Sequence, residues 1–197
     1  MADFLTITSN SEGLYKEKGS KFIAYAYPIT SEADVRPLLK TLKKEFYDAR
    51  HHCYAYILGK DKNKFRAADD GEPSNSAGAP ILGQIRSVDL TNVLVVVVRY
   101  FGGTKLGVPG LVNAYREAAK DALTNAQIVE SYELETIKIE FDYIKMNDVM
   151  RLIKDFNISL LDQGYDSNCT MSLKFKKEDK NAITSKMEDF VLSIIIE

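Results

Sequence analysis

At 197 residues, 45% of them apolar and 27% charged, the chain has room for one large domain or two small ones and enough apolar surface to bury a core. A formal net charge of −2 excludes a globally basic nucleic-acid-binding surface, so any such activity has to rest on a local patch. Two distant cysteines, Cys53 and Cys169, do not make a disulfide framework and fit a reducing compartment. No segment approaches the ~20 apolar residues of a membrane span, and the opening Met-Ala-Asp-Phe-Leu-Thr-Ile-Thr lacks a charged region followed by an apolar core. The expected location is cytoplasmic, with no membrane partner.

In chain order, Phe4–Ser9 and Gly19–Tyr27 read as strands, and Lys16, Lys18 and Lys21 between and within them read as a solvated hairpin. Val35, Leu38, Leu39, Leu42 and Phe46 recur at helical spacing. Ser31 is a candidate N-cap for that helix with Asp34 three residues on, but Pro37 then lies too deep, so the helix starts near Asp34 or bends in its second turn. His51–Leu58 is the next strand. Phe65–Pro80 carries three acids, two prolines and two glycines with no apolar period, and reads as a long loop. A helix over 79–87 follows.

Asn92-Val-Leu-Val-Val-Val-Val-Arg99 contains six consecutive apolar residues without alternation, which predicts a strand covered on both faces in the middle of a sheet. It runs into Tyr100-Phe-Gly-Gly-Thr-Lys-Leu-Gly107 and then into a helix expected to start at Pro109 and close at Asn125. From Tyr132 a second pattern begins, with strands from Leu134, Ile158, Cys169 and Val191 and helices from Met146 and around Ile183; Gly164–Ser167 is a turn or bulge. The order βαββαβ is ferredoxin-like. The domains are expected over 1–130 and 131–197.

Three stretches carry candidate chemistry. Gly102, Gly103 and Gly107 permit positive φ and close backbone approach, and Arg99 and Lys105 add positive charge, which suggests an anion site at a helix start. The spacing matches neither a Walker A loop nor a dinucleotide loop, and a tight strand-to-helix crossover is the alternative reading. Asp69, Asp70 and Glu72 suit Mg²⁺ beside a bound phosphate, or a turn whose side chains cap backbone. His51 and His52 are adjacent in a strand, so they point to opposite faces and cannot clamp one metal together. One packed and one surface histidine is the alternative to a zinc site.

The segments Lys18-Gly-Ser-Lys-Phe-Ile-Ala24, Asp48-Ala-Arg-His-His-Cys-Tyr-Ala-Tyr56, Asp69-Asp-Gly-Glu-Pro-Ser74, Ala77-Gly, Pro80-Ile-Leu82 and Asn92–Gly107 closely resemble the IMPACT family, in its bacterial branch. The resemblance implies an α+β fold: a first domain similar to the second domain of a small-subunit ribosomal protein, shared with ribonuclease PH and the GHMP kinases. It also implies a second, ferredoxin-like domain similar to the last domain of elongation factor G. Eukaryotic members of the family are regulators of translation that compete for the activator of a kinase of an initiation factor; bacterial members are regarded as nucleic-acid- or ribosome-associated. The sequence departs from the family pattern at Asn75-Ser76 and Ala79, where relatives tend to carry a small pair and a basic residue. It departs again at Val108-Pro109, where many carry a glycine.

The leading functional expectation is therefore a translation-associated binding module rather than an enzyme. Its partner is RNA, the ribosome or a translation-regulator protein. Arg50, His51, Arg66, Arg99 and Lys105 form its basic groove, Tyr100 or Phe101 stacks on a base, and Gly102, Gly103 and Gly107 admit the backbone. No cofactor is expected. The alternative is an enzyme acting on a nucleotide or other phosphorylated small molecule, with Asp69, Asp70 or Glu72 holding Mg²⁺.

Overall fold

The computed structural model describes residues 3–196, which fall into two compact units, Met1–Ser131 and Tyr132–Glu197. In the first, five strands form one sheet: β2 (Ser11–Glu17), β3 (Ser20–Pro28), β6 (Val93–Tyr100), β4 (His51–Leu58) and β5 (Lys64–Ala68), in that spatial order. β6 is the middle strand, and Val93 to Val98 are all 0% exposed, as an unbroken valine run predicts. Every neighbouring pair is antiparallel, so β3 and β4 run parallel with β6 between them, and so do β5 and β6 with β4 between them. The crossovers are α1 (Val35–Glu45) and α2 (Gly78–Ser87).

Odd-numbered β4 and β6 residues, Cys53, Ala55, Val95 and Val97 among them, pack with α2 and α3 (Gly107–Thr124). Even-numbered ones, Tyr56, Leu58, Leu94 and Val96, pack with Val35 and Leu42 of α1. Period-2 alternation thus divides the core into two layers around one sheet. A short ladder of β1 (Phe4–Ile7) with β7 (Ile128–Ser131) adds Ile7 to the α2–α3 layer. Helix α1 starts at Val35, which puts Pro37 in its first turn, where the missing N–H costs nothing. Before it, Asp34 accepts from the N–H groups of Thr30 and Ser31 at 2.8 and 2.9 Å, and these bonds hold its carboxyl below the usual range.

Three features depart from the sequence reading. β5 occupies the first residues of the expected long loop; its side chains are almost all exposed, so no apolar period marks it, and it forms by hydrogen bonding as an edge strand. β2 and β7 are further strands, and α3 begins two residues before Pro109.

In the second unit β8 (Leu134–Phe141), α4 (Met146–Asp155), β9 (Ser159–Tyr165), β10 (Cys169–Lys176), α5 (Lys180–Met187) and β11 (Ser193–Ile196) form an antiparallel sheet ordered β11-β8-β10-β9. This is the ferredoxin-like arrangement. The alternating Cys169, Met171, Leu173 and Phe175 pack with Ile137, Ile139 and Phe141 beneath Val149, Leu152, Ile183 and Met187. Gly164 lies within β9 opposite Thr170, not in a bulge; the irregularity falls instead at Leu161, where the register shifts against Ser172 and Leu173.

Gly102 follows β6 with its backbone against the β2–β3 turn: a Cβ there would lie 1.9 Å from the Gly19 carbonyl carbon. Gly102→Ala should therefore lower stability by about 1–3 kcal/mol through overpacking, read as a lower denaturation midpoint with an unchanged denaturant slope. Cys53 is 0% and Cys169 3% exposed, and burial raises the Cys53 thiol well above its ordinary pKa. Neither thiol should react with a thiol reagent in the native protein at pH 8, and both should react after unfolding.

Candidate functional site

A cleft of about 840 Å³ opens where β4 begins and β6 ends. Its walls include Asp48, Arg50, His51, Glu72, Arg99, Tyr100, Phe101, Lys105 and Gly107, together with Pro73, Leu106, Val108 and Leu111. The register explains the gathering: His51 sits opposite Arg99, and both side chains lie on the α3 side of the sheet, beside the acidic loop and the first turn of α3.

Arg99 is 8% exposed, and its Nη1 donates to Glu72 Oε1 at 2.5 Å; the Glu72 side chain is itself only 4% exposed. The same oxygen accepts from Tyr115 OH at 2.8 Å. The Arg99 guanidinium also lies 5.5 Å from the Phe22 ring centroid and 5.7 Å from that of Phe101. Arg99 is thereby held rigidly at the floor of the cleft, with Nε lacking a hydrogen-bond partner among the described residues. Its charge is matched locally, which differs from a free phosphate-binding arginine.

The acidic loop folds as a turn with its carboxylates aimed three ways. Asp69 Oδ1 accepts from the N–H groups of Ala77 and Gly78 at 3.0 and 2.8 Å, and its Oδ2 from Asn75 N–H at 2.9 Å. That caps the approach to α2. Asp70, at φ 41°, accepts from His52 N–H at 2.7 Å and from Lys43 Nζ at 3.2 Å. Glu72 turns inward to Arg99. Among the described residues no group of three His, Cys, Asp or Glu side chains converges as a metal site. His51 Nδ1 lies 2.9 Å from the Asp70 carbonyl oxygen. A carbonyl can only accept, so Nδ1 carries the proton and Nε2 is the acceptor of the neutral ring. His52 is buried on the α1 side, and burial lowers its pKa.

The remaining predicted residues separate. Arg66 is exposed on β5 directly opposite Tyr56, away from the end of β4 at which the cleft opens and on the other face from His51, and it is not part of the cleft lining. Gly103 and Gly107 have φ of 87° and 71°, whereas Gly102 serves the close approach to Gly19 rather than a positive φ. Tyr100 OH donates to Asp48 at 2.7 Å, which pushes the phenol up to about 12. Phe101 is 58% exposed at the rim. Among the described residues neither Arg50 nor Lys105 has an ion-pair partner, and both are exposed. Leu106 occupies the N-cap of α3 without a side-chain cap, so the first-turn N–H groups there have no intrahelical acceptor.

The site can therefore offer two exposed cations without ion-pair partners among the described residues, a helix start, a half-exposed aromatic ring and an apolar wall. Sequence reading did not single out Tyr115, Leu106, Val108 or Leu111 as site residues, Leu111 and Tyr115 being apolar positions of the expected 109–125 helix. Their role depends on which helix face meets the sheet.

Comparison with known proteins places the chain in a family. A family model described as the Impact N-terminal domain matches residues 18–123. An IMPACT family member of Haemophilus influenzae is 32% identical over 191 residues, 96% of this chain and 93% of the relative. The Escherichia coli member YigZ is 27% identical over 88% of this chain and 86% of its own length. A crystal structure described as that of a hypothetical protein superposes with a TM-score of 0.74 at 25% identity, covering 96% of this chain and 93% of that one. With its N-terminal motifs matched and a relative aligned along nearly its full length, this chain belongs to the IMPACT family.

Proposed function

We propose that this protein is a translation-associated regulator that binds single-stranded RNA in the cleft between β4, β6 and the start of α3. The observation that carries the reading is Phe101, 58% exposed at the rim, flanked by Arg50 and Lys105, which have no ion-pair partners among the described residues. An exposed ring between free cations suits a base stacked beside its own phosphates. The first turn of α3 adds backbone donors for an anion at the same rim. Family membership supports the link to translation, which the resemblance to eukaryotic regulators implies. The carboxylates of Asp69, Asp70 and Glu72 already take protein donors, which favours binding over a metal-assisted reaction.

Fluorescence anisotropy with labelled oligouridylate tests the reading. Phe101→Ala should weaken binding by about 1–3 kcal/mol, the worth of one stacked base. Lys105→Ala should reduce the dependence of log affinity on log salt by about 0.7. No binding at low salt, or unchanged affinity in both variants, overturns the proposal, and equal affinity for oligothymidylate overturns the assignment to RNA.

A further inference from the structure

The lysine hairpin that reads as solvated in the sequence lies in register with the cleft. Lys16 of β2 stands directly opposite Lys21 of β3, Lys21 directly opposite Tyr100 of β6, and the His51–Arg99 pairing carried back one residue sets Arg50 opposite Tyr100. Directly opposed residues share a face, so Lys16, Lys21, Tyr100 and Arg50 form one row across four strands at the end of the sheet. The face is the α1 side, because Phe22 and Arg99, adjacent in sequence, point to the α3 side.

Like charges directly opposite each other destabilise an antiparallel pair. Lys16 and Lys21 are both exposed, and among the described residues neither has an ion-pair partner. None of the nearby described acids forms an ion pair with these lysines: Asp48 accepts from Tyr100 OH, Glu17 from Tyr15 OH on the opposite face, Glu12 lies further along β2 opposite Tyr25, and Glu45 acts on Tyr25 and Tyr27. The row thus keeps a local positive excess, Lys16, Lys21 and Arg50 against the one carboxylate of Asp48 at Tyr100. It meets the cleft at the end of the sheet, since Arg50 and Tyr100 of the row also line the cleft wall.

We propose that this row is a phosphate track that extends the cleft, so that a single-stranded RNA with a base at Phe101 runs across the sheet end from Arg50 past Tyr100 to Lys21 and Lys16. The proposal rests on the RNA reading of the cleft. Three strand spacings of about 4.8 Å make the row about 14 Å long. A stacked strand carries one charge about every 3.4 Å, so the row can meet several phosphates. Tyr100, between two cations, supplies a second stacking surface. A row of three cations with a ring among them favours a nucleic-acid strand over an acidic peptide, which offers carboxylates without faces to stack.

The experiment compares the full chain with Lys16→Ala/Lys21→Ala, with Lys16→Glu and with Phe101→Ala/Lys105→Ala, using an oligouridylate of about ten nucleotides, within the usual range of single-strand site sizes. The double lysine variant should bind more weakly and lose about 1.4 from its log–log salt slope, two phosphates at about 0.7 each. Its thermal midpoint should be at or above that of the parent, because a like-charge pair is removed. Lys16→Glu, which creates an opposite-charge pair with Lys21, should fold at least as well and still bind weakly.

Unchanged affinity in both lysine variants overturns the track and leaves the cleft standing if Phe101→Ala/Lys105→Ala is impaired. Loss in the lysine variants alone retains the track and overturns the cleft. No binding by the parent overturns both. Displacement of the RNA by polyglutamate as effectively as by unlabelled oligouridylate overturns the nucleic-acid assignment in favour of an acidic protein partner.

Discussion

The Arg99–Glu72 pair ties the functional end of the first unit together. Two opposite charges, 8% and 4% exposed at their side chains, are joined at 2.5 Å and bridged to α3 through Tyr115 OH. Removing one partner of a buried pair leaves an uncompensated charge that costs about 3–5 kcal/mol, so the pair can persist only while strand, loop and helix all stay in place. Glu72 brings the acidic loop onto the sheet, Arg99 presents the end of β6, and Tyr115 orients α3. Asp48, Arg50 and His51 are placed separately, by the pairing of β4 with β6.

The pairing also decides which charges are available. A chain of net charge −2 can hold an anion only where cations exceed acids locally. Arg99 is matched by Glu72, and Lys43 by Asp70. Asp69 serves three backbone N–H groups. Among the described residues, Arg50 and Lys105 at the cleft and Lys16, Lys18 and Lys21 in the hairpin have no ion-pair partner, near the aromatic rings of Phe101 and Tyr100. The strength of the site lies in this local separation of paired from unpaired charge, in a region where Gly102 lets two backbones meet.

The two units share no design feature beyond an antiparallel sheet with helices. The first sandwiches a fully buried strand between helical layers and concentrates loops at one end. The second packs one face of its sheet beneath α4 and α5 in a single core. No helix among the described residues is long and apolar enough to cross a membrane.

Much of this was legible beforehand, for local reasons. An unbroken run of valines is compatible only with a strand covered on both sides, and the alternation from Cys169 to Phe175 only with a strand covered on one, so β6 and β10 could be read directly. Period alone separated helices from strands in both units, and Asp-Gly and Pro-Ser chemistry marked the acidic turn. β5 and β7 left no apolar period because they are short and bury little, and their stability comes from hydrogen bonding to a neighbour, which the chain cannot display locally. The departure of Arg66 from the groove is of the same kind: its face depends on its register with Tyr56, across a hairpin.

By itself the sequence determined most of the elements, the family and the cluster of residue types around Gly102–Gly107, because propensity, periodicity and motif identity are properties of neighbours along the chain. Only the tertiary structure decided which of those residues meet. It withdrew Arg99 into a buried ion pair, and turned Asp69, Asp70 and Glu72 toward protein donors. It also lined Lys16 and Lys21 up with Arg50, because cross-strand register and burial are set by contacts between segments far apart in sequence.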